Sequence, residues 1–258
     1  VSASAWAVGV DGCPAGWVMA SMPVGDFSSA RVGVAASFAD VLLACEGLGA
    51  PGGGAWVLAV DMPIGLLERF EPGGRACDRA ARALLGAKRG TSVFAPPTRG
   101  ALAATTYEQA LRRNRAGVAR GGAHGVRAGL SKQAYNLFAK LREVDGALAG
   151  ADEGVRARVH ECHPEVSFAV MGGAPVLLPK RTDDGHEARA ALLRDAGFSG
   201  VAGLVRQVRR ARAVAADDVL DALAACWTAQ RIARGVVRAL PDGPAQTDAR
   251  GLAMRILA

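Results

Sequence analysis

The sequence predicts an α/β fold: a mixed β-sheet of three antiparallel strands followed by parallel ones, flanked by helices, with a helical insertion. Three observations predict it. Two short apolar runs, 6–10 (WAVGV) and 17–20 (WVMA), flank a tight turn rich in Gly and Pro, as in a β-hairpin. A later run, 55–60 (AWVLAV), is continuous rather than alternating, the pattern of a central strand covered on both faces. Elsewhere, apolar residues recur at helical spacing.

The first run ends on Asp11. A buried carboxylate is costly unless it is paired or binds a cation. Asp11 therefore needs a partner, unless it hydrogen-bonds its own turn as Asx-turn residues do. The hairpin alone leaves both readings open. Residues 30–36 (ARVGVAA) read as a third strand, and Ser37 caps a helix through Phe38, Val41, Leu42 and Cys45. A flexible Gly/Pro stretch, 47–54, leads to the fourth strand, which also ends in an aspartate, Asp61. Crossing back through a helix lets strand four lie parallel to strand one and beside it. Both aspartates then share the sheet edge at which α/β proteins place ligands.

Residues 66–155 read as a mostly helical insertion in a single domain of residues 1–258. Arg75, Arg79 and Arg82 fall on one face of a helix over 76–85, and Lys88, Arg89 and Arg99 follow in the loop. Such a stripe either holds phosphates or faces solvent. The segment 86–92 is no P-loop, because the G-x-x-x-x-G-K-[ST] order is absent. A helix over 106–120 carries Arg112, Arg113 and Arg115. Another, over 131–149, uses Tyr135, Phe138, Leu141 and Leu148 as core contacts and leaves Lys132 and Lys140 outside. The substrate-binding candidates are Arg75, Arg79, Arg82, Arg99 and Lys132.

The stretch 155–165 (VRARVHECHPE) alternates as a strand until Pro164 starts a helix, with Glu165 in its first turn. Glu161 sits inside the strand pattern and has no such helix-end role. His160, Cys162 and His163 do not make a zinc site, since no second Cys/His pair stands at finger spacing. A helix is expected over 182–197, closed by Gly197, then a basic amphipathic stretch over 205–212. The last helix, over 215–234, carries Leu220, Leu223 and Trp227 on one face. Asp217, Asp218 and Asp221 fill a neighbouring sector about 100° wide. Asp218 and Asp221, three apart, are neighbours in space. Helix-end roles explain one or two of these acids, but less well all three.

Composition narrows the partners. Half of the 258 residues are hydrophobic and 21% are charged, an ordinary globular balance. No apolar run approaches the roughly 18 residues of a membrane span, and the first residues lack the basic segment and apolar core of a secretion signal. Five cysteines without paired spacing fit reduced thiols in a cytoplasmic protein. The net charge of +7 permits a polyanionic partner. Arginine far outnumbers lysine, so a GC-rich genome accounts for part of that excess.

Carboxylates thus end two strands, lie in a third and line a helix. Convergent acids repel one another unless cations share them, and hard oxygen donors favour Mg²⁺ or Mn²⁺. Two such ions about 4 Å apart would clamp the attacking and leaving oxygens of a phosphodiester. Metal-dependent hydrolysis of a phosphodiester is the expected reaction.

The stretches VGVDGCPAGW, AVDMPIG, RACDRAARALLGAKRGTSVFAPPTR, ECHPEVSF and DDVLDALAAC resemble the successive blocks of domain-of-unknown-function family 429, from Val8 to about Ala225. That family consists of predicted nucleases with an RNase H-like fold. The resemblance implies an RNase H-like mixed sheet and a nucleic acid or nucleotide as partner. The carboxylate pattern is also similar to that of Holliday-junction resolvases, with an acid on strands one and four and a D-x-x-D helix. These map to Asp11, Asp61, and Asp218 with Asp221 as catalytic and metal-binding residues, Asp217 being the substitute for Asp218. Glu161, in the family's HPE-containing block, is expected beside the metal. Two other readings use the same sheet. One is an ATP-dependent phosphotransfer enzyme of the actin and sugar-kinase type, although no second copy of the hairpin is seen. The other is a non-catalytic module that binds a nucleotide or a partner protein.

Overall fold

The computed structural model describes residues 5–48, 54–116, 129–212 and 214–258. Part of the expected Gly/Pro stretch (49–53) and the end of the helix expected over 106–120 (117–120) lie outside the described residues. In chain order the main elements are β1 (Trp6–Cys13), β2 (Gly16–Pro23), β3 (Arg31–Ala35), α1 (Phe38–Glu46) and β4 (Trp56–Val60). Five helices follow: α2 (Ala76–Arg89), α3 (Arg99–Leu102), α4 (Tyr107–Ala116), α5 (Lys132–Asn136) and α6 (Phe138–Gly150). Then come α7 (Glu153–Arg156), β5 (Val159–Cys162), α8 (Pro164–Gly172), α9 (Asp183–Asp195), α10 (Val201–Arg212) and α11 (Ala216–Ala233). The chain divides into two compact units. One is Val1–Met62 with Ala151–Arg238 and Leu257–Ala258; the other is Pro63–Gly150 with Ala239–Ile256.

The first unit holds a mixed sheet in the order β3-β2-β1-β4-β5. β2 is antiparallel to both β1 and β3, while β4 runs parallel to β1 and to β5. The hairpin is tighter than expected. β1 continues past Asp11 to Cys13, which faces Gly16 across a two-residue turn, and Asp11 lies inside the strand opposite Val18. Gly16 has φ 130°, and a Cβ there would stand 2.1 Å from the Ala35 carbonyl oxygen, so only glycine fits between the hairpin and β3. β5 is shorter than expected, because Asp152 accepts a hydrogen bond from the Val155 amide and turns 153–156 into α7.

One helix organises this unit. From Val219 to Gln230 every residue of α11 is buried, so its apolar surface extends well beyond the expected Leu220, Leu223 and Trp227 stripe. It packs on β1, β2, β4 and β5, with α8, α9 and α10 around it. Gly9 permits the closest approach: a Cβ on it would stand 1.9 Å from the Cys226 amide nitrogen and 2.2 Å from the Ala222 carbonyl. A 2.8 Å hydrogen bond between the Ser167 and Thr228 hydroxyls joins α8 to α11. On the opposite side of the sheet, α1 starts at a capping box of Ser37 and Asp40. Phe38 meets the edge of Trp17 at 5.2 Å between ring centroids.

In the second unit, the helix expected over 131–149 is two helices that meet at Leu137. Phe138, Leu141 and Leu148 are buried as expected, whereas Tyr135 is half-buried and its hydroxyl donates to the Thr105 carbonyl at 3.0 Å. No helix among the described residues is long and apolar enough to cross a membrane. All five cysteines are buried thiols outside any disulfide.

Candidate active site

Three aspartates converge on one face of the sheet in the first unit. In β1, side chains alternate between faces, so Asp11 shares the side of Gly9, the side on which α11 lies. The register pairs Gly9 with Ala59 and Val10 with Val60, and the Asp61 amide donates to the Val10 carbonyl at 2.9 Å. Asp61 therefore stands beside Asp11, one strand spacing (about 4.8 Å) away along the sheet. Asp221 comes from α11, one residue before the Ala222 that crosses Gly9. Asp11 and Asp221 are buried, and Asp61 is half-buried.

Their electrostatics follow from that convergence. Burial, then the charges of Asp61, Asp221 and Asp218, push the Asp11 carboxyl well above the usual carboxylate range, against a smaller opposing effect of Lys180. Burial also raises Asp61, which His163 and Lys180 partly offset. Asp221 is pushed up to about 7, again first by burial. The Cys162 thiol is raised by burial and by these same acids.

The positive group that meets the acids is Lys180. Its ammonium donates to Asp221 Oδ2 at 2.9 Å and lies 3.7 Å from Asp217, which also pairs with Arg181 at 3.9 Å. The other oxygen of Asp221, Oδ1, is buried with no hydrogen-bond partner. Among the described residues, Asp11, Asp61 and Asp221 do not bring one oxygen each within 4.8 Å of the others. Hard oxygen donors with an unpartnered buried acceptor are of the chemical kind that Mg²⁺ or Mn²⁺ takes, while the three carboxylates as placed do not close on a single point.

Asp218 and Asp217 divide the role expected of one residue. Asp218 is half-buried; it accepts a long hydrogen bond (3.4 Å) from the Ala215 amide at the start of α11, and its charge reaches Asp11. Asp217 turns to Lys180 and Arg181. Glu161 departs from the expectation. It pairs with Val60 in the parallel ladder, which puts it on the opposite face from Asp61, and the residue sharing the face of Asp61 is Cys162. Glu165 holds Arg189 in a buried ion pair at 2.6 Å.

The expected phosphate stripe is largely committed to the protein itself. Arg75 is buried at the start of α2, pairs with Asp78 at 2.7 Å, and donates to the Ile64 and Gly65 carbonyls. Arg79 binds Glu71 and the Gly74 carbonyl, and Arg82 the Gly73 carbonyl. Arg99 pairs with Asp145 at 3.0 Å and also with Asp248. Helical spacing correctly put Arg79 and Arg82 together but could not show that the preceding loop folds back under them. Lys132 is exposed.

Sequence reasoning missed Lys180. It lies in a plain Pro-Lys-Arg-Thr stretch, far along the chain from the acids it meets, and no periodicity links the two. A family model described as "Protein of unknown function (DUF429)" matches residues 9–246. No curated protein and no solved structure matches the chain.

Proposed function

The chain belongs to the DUF429 family, and from its acidic group we propose that it is a metal-dependent phosphodiester hydrolase, a nuclease on an RNase H-like sheet. The observation that carries this reading is the meeting of Asp11 of β1, Asp61 just past the end of the parallel β4, and Asp221 of α11, with Asp221 Oδ1 buried and unpartnered. Asp11, Asp61 and Asp221 would hold Mg²⁺ or Mn²⁺. When bound, such an ion acidifies a water for attack on phosphorus and offsets the charge that builds on the phosphate. The rest falls to the protein. Burial under α11 keeps water from the carboxylates and strengthens their grip on cations. Lys180 and the outward-facing Arg181, whose side chain is 87% exposed, offer positive charge to a phosphodiester on the same rim. The net charge of +7 favours a polyanion such as nucleic acid or a nucleotide.

A specific observation favours a second reading. Lys180 already pairs with Asp221 at 2.9 Å, and a chain that brings its own cation to these acids would bind a nucleotide or partner without turnover.

Incubation with single- and double-stranded DNA and RNA, with and without Mn²⁺, separates the two. The nuclease reading expects cleavage that needs Mn²⁺ and is abolished in Asp11→Asn and Asp61→Asn, with both variants folded. Unchanged cleavage in either variant removes that residue from the mechanism. Binding without cleavage of any of the four polymers supports the module instead.

A further inference from the structure

We infer that the loop from Leu177 to Arg181 is a rim that seats an unpaired nucleobase beside the acidic group, so that the polymer bound there is single-stranded. This rests on the phosphodiester reading proposed above and names the form of its substrate. Leu177 and Leu178 are 57% and 44% exposed. The other large apolar residues left exposed among the described ones, Leu43 and Val236, lack an exposed large apolar neighbour in the chain, and apolar residues scattered singly on a surface need no explanation. Leu177 and Leu178 are adjacent, and the chain brings them to the acids. Lys180, two residues after Leu178, donates to Asp221 Oδ2 at 2.9 Å. Two residues of backbone span about 7 Å at most, so Leu178 stays close to that contact. Arg181 follows, with its side chain 87% exposed. Exposed apolar surface and positive charge thus share one short loop at the edge of the acidic group.

The loop holds its shape without the two leucine side chains. Val176, just before them, packs against the hydrophobic core around α11. Pro175 and Pro179 restrict the backbone on either side. Arg189, itself fixed by Glu165, donates to the Leu178 carbonyl at 3.2 Å and to the Gly185 carbonyl at 2.9 Å. The Thr182 hydroxyl donates to the Pro179 carbonyl at 2.9 Å and accepts from the Gly185 amide at 3.1 Å. Gly185 lets the loop lie against the start of α9, where a Cβ would stand 1.8 Å from the Pro179 carbonyl oxygen. A surface ordered in advance loses little entropy when a ligand covers it. The ligand that fits has a flat apolar body with an anion attached. A nucleotide of a single strand has both: its base offers a face to apolar side chains, and its phosphate suits an arginine. In a duplex the base faces are stacked on one another, and the protein meets phosphates, sugars and base edges, which leaves the leucines nothing flat to cover. An anionic membrane would press a sheet of negative charge toward Asp217 and Asp221, the acids that adjoin Lys180, whereas a single strand brings one phosphate at a time.

The test is fluorescence anisotropy of the full chain with a short labelled single strand and with the same sequence as a blunt duplex, with Ca²⁺ in place of Mn²⁺ to slow cleavage. The wild type is expected to bind the single strand more tightly than the duplex. Leu177→Ser combined with Leu178→Ser is expected to weaken the single strand about tenfold, from the apolar area no longer covered, and to leave the duplex unchanged. Leu177→Trp, which offers a stacking surface, is expected to tighten the single strand about fivefold. Mn²⁺ is expected to stabilise both variants against heat as much as the wild type, which checks that they fold and keep the acidic group. Equal affinity for strand and duplex, a serine variant that binds as the wild type does, or no tightening in Leu177→Trp overturns the inference. Loss of the Mn²⁺ stabilisation in the serine variant also overturns it, because the leucines then serve the fold. So does binding to phosphatidylserine vesicles that the serine variant loses while its affinity for the single strand is unchanged. No binding of either polymer, with Mn²⁺ stabilisation of the wild type intact, overturns the inference and leaves the metal reading standing. No binding and no Mn²⁺ stabilisation overturns both.

Discussion

Two acidic groups, one in each unit, treat buried charge in opposite ways. In the second, Asp248 accepts from the amides of Leu66, Arg250 and Leu252 and pairs with Arg99, which also holds Asp145. Burial alone would raise the Asp248 carboxyl, but those donors outweigh it and hold it below the usual range. In the first unit, buried Asp11 and Asp221 and half-buried Asp61 lie near one another and all three are raised. Acids with opposite charges and amides around them stabilise a fold. Acids of one sign, gathered where α11 meets the sheet and only partly offset by Lys180 and His163, cost stability, and groups perturbed in this way cluster at functional sites.

The contrast breaks most sharply at Asp248. Asp248→Ala leaves the Arg99 guanidinium and three amides without their acceptor, and removing one partner of a buried pair costs about 3–5 kcal/mol. The midpoint of urea unfolding is expected to fall accordingly; a change under about 1 kcal/mol would mean that the network adds little.

Asp221→Asn is expected to act the other way. Asp221 titrates at about 7 in the folded chain and near 3.9 when unfolded. With the folded value raised, the stability this group contributes is complete below about pH 4 and is lost as pH rises through about 7. Above pH 7 the charged, buried carboxylate therefore works against the fold. The neutral variant should be more stable than the wild type at pH 8, by an amount on the order of 2–4 kcal/mol, with the advantage shrinking toward pH 4. Equal stability of the two proteins across that range would show that Lys180 fully offsets the charge.

Much of the architecture is legible in the sequence because it rests on strong local signals. An aspartate that interrupts a run as apolar as 6–10 or ends one as continuous as 55–60 has few inexpensive explanations, so Asp11 and Asp61 stand out without coordinates. Long-range register is another matter. Glu161 differs from Cys162 by one position in a strand, and that single step decides which face it occupies. The arginines of 75–82 show a common face by their spacing, but whether that face meets solvent or the loop 64–74 depends on how the loop returns. Lys180 carries no local signal, since its role comes from Arg189, Thr182 and Gly185 holding a loop against a helix start.

The most direct test of the acidic group as a cation site is thermal unfolding at pH 8 with and without Mn²⁺, in the wild type and in Asp61→Asn. At a hundredfold excess over the dissociation constant a bound ion stabilises by about 2.7 kcal/mol, which for a chain of this size raises the midpoint on the order of 5–10 °C. The wild type should show that rise and Asp61→Asn little of it. Equal shifts in the two proteins, or none in either, would contradict a cation held between Asp61 and its neighbours.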